Sequence, residues 1–210
     1  MNLVLNLLVI AATVLGSGMA LPQVRRILRT GRVDGVSPTW IGVSMALNGW
    51  WFAYALASSV WALLAVSLAS MILYAVMAGG YLKSVGARGL GGLALGAFGL
   101  GMIPLPFLLV GGWGLAGVVV GLSYGIQLLP AVIVACRTSA LAGISAVTWL
   151  IAVFESAVWF LYGMAIGDAA LLLAGVVGVV MAAVIIGRLA VTGHRPFAVV
   201  TRGRQPVIAV

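Results

Sequence analysis

Charge is scarce in this sequence, and acidic charge most of all. Only 7% of the 210 residues are Asp, Glu, Lys or Arg, and just 3 are acidic. A soluble domain carries about 25% charged residues, so the composition excludes an ordinary soluble globule. A single cysteine (Cys136) leaves no disulfide framework. A single histidine (His194) leaves neither a metal cluster nor a His-bearing hydrolytic triad. No cofactor and no enzymatic activity are therefore expected. The net charge of +8 raises nucleic acid as a partner, but the placement of the charges argues against it.

Apolar sequence fills the space: 64% of residues are hydrophobic. A bilayer crossing needs about 20 mostly apolar residues. Seven stretches meet that length, roughly 3–28, 38–57, 60–82, 90–110, 112–136, 146–166 and 169–190. The first ends in small residues but lacks the basic start of a signal peptide, so it is expected to be retained. The fold class is an all-α integral membrane protein with seven transmembrane helices.

All 11 basic residues fall on one side of that layout. Arg25, Arg26, Arg29 and Arg32 follow span one, and Lys83 and Arg88 join spans three and four. Arg137 follows span five, and Arg188, Arg195, Arg202 and Arg204 close the chain. The opposite connections, at Ser58-Ser59, Gly111-Gly112 and Gly167-Asp168, carry none. The positive-inside rule then predicts a multi-pass inner-membrane protein, N-terminus outside and C-terminus in the cytoplasm. The tail 191–210 reads as a basic anchor in that scheme rather than a nucleic-acid arm. The only lysine, Lys83, lies in a connection, which excludes a retinal protein.

The chain also repeats itself. Leu21-Pro22 recurs as Leu129-Pro130, Gly35-Val36-Ser37 as Gly143-Ile144-Ser145, and Trp51-Phe52-x-Tyr54 as Trp159-Phe160-x-Tyr162, each 108 residues on (22 to 130, 54 to 162). Three spans per copy is an odd number, so one extra span is needed to keep the copies parallel. The expected organisation is a first three-helix repeat over 1–84, an adaptor helix over 85–111, a second repeat over 112–190 and the tail. Such pairing by an axis along the membrane normal belongs to transporters, with the pathway at the repeat interface.

Several residues stand out inside the spans. Pro22 and Pro130 are expected within long helices, where each removes a hydrogen bond and kinks the chain; the kink serves as a hinge or as static packing. Gln23 could bond a carbonyl freed by the first kink. Glu155 is the one acid within a span, roughly 13 Å from its start at 1.5 Å per residue, and shares a face with Trp159 and Tyr162 at i+4 and i+7. Intramembrane acids are functional by default. Glu155 could bond substrate hydroxyls, couple protons, pair with a cation, or sit protonated against a helix neighbour. Asn48, Ser67 and Ser70 add a polar lining or ordinary helix–helix bonds. Trp50, Trp61 and Trp113 read as interfacial belt residues. Asp168 reads as the N-cap of the last span.

With Leu21-Pro22-Gln23, Asp34-Gly35-Val36-Ser37 and Trp51-x-x-Tyr54 in the first half, and Leu129-Pro130, Trp159-Phe160-Leu161-Tyr162-Gly163 and Asp168 in the second, the chain resembles the PQ-loop superfamily, most closely the SWEET and SemiSWEET sugar transporters. The resemblance implies that Trp51 and Trp159 clamp a mono- or disaccharide from both sides. It implies that Pro22 and Pro130 flex during gating, and that Tyr54, Tyr162 and Asp168 help close the outer gate. The chain departs from the pattern at Ala131 for Gln23 and Val60 for Asp168. It departs again at Ser67 and Gly175, where the family carries asparagines. The expectation is a sugar uniporter working by alternating access. A proton-coupled exporter of an amino acid or amine using Glu155 is the alternative, and a seven-span receptor or sorting protein the third. One chain carries both halves, so a homo-oligomer is not required.

Overall fold

The computed structural model describes residues 3–33, 36–137 and 146–192. The Asp34-Gly35 and Gly143-Ile144-Ser145 motifs lie outside them, as do Arg195, Arg202, Arg204 and most of the tail. Every regular element among the described residues is helical: α1 (Leu3–Gly18), α2 (Leu21–Thr30), α3 (Pro38–Ala57), α4 (Trp61–Val85), the short α5 (Leu90–Ala94), α6 (Pro104–Arg137), α7 (Ala146–Ile166) and α8 (Ala169–Val191). The segments flanking α5 are wound unevenly, as 3-10 turns at Gly86–Gly89 and Leu100–Met102 and a π turn at Leu95–Gly99.

The seven separate spans expected from sequence are not what the helices show. Four near-continuous stretches are long and apolar enough to cross a membrane: Leu3–Thr30, Trp61–Arg137, Ala146–Ile166 and Ala169–Val191. The helix α3 has the length but not the apolarity, because Asn48, Ser44 and the Trp50-Trp51 pair dilute it. At 77 residues, Trp61–Arg137 would extend roughly 115 Å if straight. It is not straight. Gly86 (φ 71, ψ −160) and Gly112 (φ 61, ψ −162) break it, in a backbone region that essentially only glycine enters.

Contacts show that the chain reverses at both glycines. Tyr74 of α4 stacks edge-on against Trp40 near the start of α3, at 5.3 Å, so α4 runs antiparallel to α3. The segment after Gly86 then climbs alongside α3. A Cβ on Gly92 would meet Pro38, one on Gly96 would collide with the backbone at Thr39, and Trp50 Nε1 donates to Gly101 O at 2.8 Å. After Gly112 the chain descends. Gly117 lies against the Tyr54 ring, and Gln127 O accepts from Trp40 Nε1 at 3.2 Å.

Pairing of helices follows one pattern twice. The starts of α7 and α8 lie 108 residues beyond those of α3 and α4 (38 to 146, 61 to 169). Helix α4 packs between α1 and α3, as α8 packs between α6 and α7. Across the two sets, α1 meets α7 and α3 meets α6. Large apolar side chains face outward, as at Phe98, Leu109 and Val110, all at least 78% exposed, while small ones fill the seams. In α8 the seam is Ala170, Ala174, Gly175, Gly178 and Ala182. Small seams with a greasy exterior are the mark of helices packed in lipid, and a membrane-embedded protein follows.

The two prolines differ. Pro22 is not in the interior of a long helix as expected. Helix α1 ends at Gly18, and Pro22 falls in the first turn of α2, where its missing N–H costs nothing. Pro130 is inside α6 as expected. Gly16 and Gly18 precede Pro22, whereas Tyr124 and Ile126 stand at the matching positions. Glycine weakens a helix by up to about 1 kcal/mol per residue, so the same proline breaks one copy and is carried by the other.

Candidate functional site

A cavity of about 120 Å³ opens where the two helix sets meet. Its lining has an internal order. Seven pairs of residues lie 108 positions apart: Gly16/Tyr124, Met19/Gln127, Asn48/Ser156, Trp51/Trp159, Leu63/Leu171, Val66/Ala174 and Ser67/Gly175. Only Ala20, Ser70, Tyr74 and Glu155 line it without a partner. A cavity bounded by matched residues lies on the axis relating the copies.

All six residues singled out as substrate contacts, Asn48, Trp51, Ser67, Ser70, Glu155 and Trp159, reach this one cavity. The two tryptophans are held alike. Trp51 stacks edge-on with Tyr54 and Trp159 with Tyr162, each at 6.0 Å. Asn48 spends its amide N–H on Ser44 O at 2.8 Å, which leaves its amide oxygen without a hydrogen bond among the described residues. Glu155 is 8% exposed. Its Oε1 accepts from Trp159 Nε1 at a long 3.4 Å, and its Oε2 is buried with no hydrogen-bond partner.

The residues expected to gate separate into groups. Tyr54 donates from its hydroxyl to Asp168 Oδ2 at 2.8 Å, bridging the copies at the end that lacks basic residues. Asp168 Oδ1 meanwhile accepts from Leu171 N at 2.9 Å, capping α8. The N-cap role expected of Asp168 is therefore met, and the same side chain uses its second oxygen for Tyr54. Tyr162 is buried and makes no hydrogen bond among the described residues, since its matching acid position is Val60. Pro22 and Pro130 are exposed near the basic end, and Gln23 bonds no carbonyl among the described residues.

Four polar lining residues were not singled out from the sequence: Tyr74, Tyr124, Gln127 and Ser156. Gln127 does the most. Its amide donates to Ser44 Oγ at 3.0 Å and to Tyr74 OH at 3.1 Å, and so ties α6 to α3 and α4 on the basic side of the cavity. Ser156 could have been found from Asn48 by the 108-residue spacing. The others lack a polar counterpart, so the repeat gave no signal. Two supposed belt residues are also internal: Trp50 bonds Gly101 O, and Trp113 packs on Trp50 and Tyr54 at 6.2 and 6.4 Å. Trp61 is 68% exposed, as a belt residue would be.

No family model and no curated protein matches the chain.

Proposed function

We propose that the protein is a seven-pass membrane transporter of SWEET type that carries a small sugar by alternating access, as a uniporter. The observation that carries this reading is the axial cavity with its matched Trp51 and Trp159. Indole faces stack on the C–H faces of a sugar ring. Asn48, Ser67, Ser70, Gln127 and Ser156 offer the donors and acceptors that sugar hydroxyls need. The reversals at Gly86 and Gly112 support three passes for Trp61–Arg137. With Leu3–Thr30, α3, α7 and α8 that makes seven, as two three-helix repeats and an adaptor. The basic residues at α2 and at the ends of α4, α6 and α8 support a cytoplasmic location for that end.

The cargo class is a mono- or disaccharide. Uptake of labelled mono- and disaccharides into proteoliposomes tests the proposal. Flux above that of empty liposomes is expected for at least one sugar, and flux equal to empty liposomes across a broad panel overturns it. The unpartnered Oε2 of Glu155 favours one second reading, proton-coupled export of an amino acid or amine. In that case an imposed pH gradient drives flux and Glu155→Gln abolishes the response.

A further inference from the structure

We propose that the cargo of this cavity carries a protonated amine, so that the preferred substrate class is an amino sugar whose ammonium group sits on Glu155. The inference rests on the transport reading and names the chemistry of its site. Among the described residues, Glu155 is the sole acid lining the cavity, and no Lys, Arg or His lines it. One carboxylate oxygen is buried and unanswered, and the other has only a long bond from Trp159. A neutral sugar can offer a hydroxyl to that oxygen but not a countercharge. An ammonium offers both, and charge-assisted hydrogen bonds are about twice as strong as neutral ones.

The space for this carboxylate is built into the fold. A Cβ on Gly16 of α1 would collide with the Glu155 carboxylate. At the positions 108 residues away the sizes and polarities reverse, with Tyr124 for Gly16 and the buried Leu47 for Glu155. One crossing of the copies is therefore a glycine facing an acid. The other pairs positions held by a large aromatic and an aliphatic residue. An acid tolerated only as packing would not need an emptied neighbour.

The test compares D-glucosamine, D-glucose and N-acetyl-D-glucosamine, which differ at one substituent and its charge. Thermal stabilisation of the purified full chain reads binding. Half-maximal stabilisation is expected at a concentration at least about tenfold lower for glucosamine than for glucose, with no such advantage for the N-acetyl form. The advantage should vanish in Glu155→Gln and shrink in Gly16→Ala, which displaces the carboxylate. Should either variant fail to fold, the three-sugar comparison on the native chain decides alone. In proteoliposomes, an inside-negative potential of about 100 mV should accumulate glucosamine about fiftyfold at equilibrium, with no accumulation of glucose. Equal binding of glucosamine and glucose, or an advantage that survives Glu155→Gln, overturns the inference. Glucose flux without an amine advantage overturns this inference and leaves the transport reading standing. An amine advantage in binding without flux does the reverse, and no binding of any of the three overturns both.

Discussion

Removing one hydroxyl, in Tyr54→Phe, should open the end of the molecule that lacks basic residues. The Tyr54 hydroxyl meets Asp168 Oδ2 at 2.8 Å, and among the described residues it bridges α3 to the turn before α8. A hydrogen bond to a charged group contributes about 1.5–3 kcal/mol. Asp168 is only half-buried, so solvent competition brings this to about 1–2 kcal/mol. That shifts a closed-to-open equilibrium roughly 5- to 30-fold. The internal control is Tyr162→Phe, which removes a hydroxyl with no hydrogen bond among the described residues and should shift nothing. The assay is labelling of a cysteine placed at Ser67 in the cavity, in a Cys136→Ser background, by a membrane-impermeant thiol reagent. Labelling from the Asp168 end should quicken in Tyr54→Phe and not in Tyr162→Phe. Equal effects of the two substitutions, or none from Tyr54→Phe, would refute the gate.

The other end should answer to Gln127→Met, which installs the residue found at the matching position 19. Loss of the bonds to Ser44 and Tyr74 should speed labelling of the same cysteine from the basic end by a similar factor. Gly96→Ala forces a Cβ into the backbone of α3 at Thr39 and should cost about 1–3 kcal/mol by overpacking. Gly79→Ala, in open space on α4, should be neutral or stabilise by up to about 1 kcal/mol; thermal unfolding in detergent separates the two. Pro130→Ala restores a helix bond in α6 and should slow flux, while Pro22→Ala leaves the Gly16–Gly18 break in place and should change it little. Equal flux effects from the two proline substitutions would count against the asymmetry.

Much of this was legible because duplication leaves a ruler in the sequence. The 108-residue spacing that links Trp51 to Trp159 also gives the starts of α7 and α8 from those of α3 and α4. Polarity inside an apolar run singled out Asn48, Glu155 and the serines. What escaped was whatever the copies do not share. Gln127 and Tyr124 sit opposite Met19 and Gly16, so the ruler passes over them. Pro22 and Pro130 match in sequence yet not in structure, because helix strength depends on neighbours that differ, Gly16 and Gly18 against Tyr124 and Ile126. The joins at Gly86 and Gly112 fall in the connections expected between spans 60–82, 90–110 and 112–136, but the single glycine conformation that makes each reversal is not written in the apolar pattern.

The asymmetry itself has a mechanical consequence. Among the described residues, Tyr54–Asp168 bridges one end of the cavity, and the Gln127 side chain with Ser44 and Tyr74 bridges the other, beside the Trp40 bond to the Gln127 carbonyl. Full symmetry would double both. A second acid at Val60 would give Tyr162 its own partner, and an amide at Met19, with hydroxyls at Ala152 and Ala182 where the first copy has Ser44 and Tyr74, would add a second tie at the basic end. The doubled bonds would hold the doubly closed state by roughly another 1–2 kcal/mol at each end. Alternating access needs its states within a few kcal/mol of one another, so that each is populated and a ligand can shift the balance. On the proposed transport reading, an unduplicated latch at each end would let either end open while the other stays shut. The matched residues, Trp51 with Trp159 and Leu63 with Leu171, would then meet both faces of a ring, and the unmatched ones would keep the ends weak enough to move.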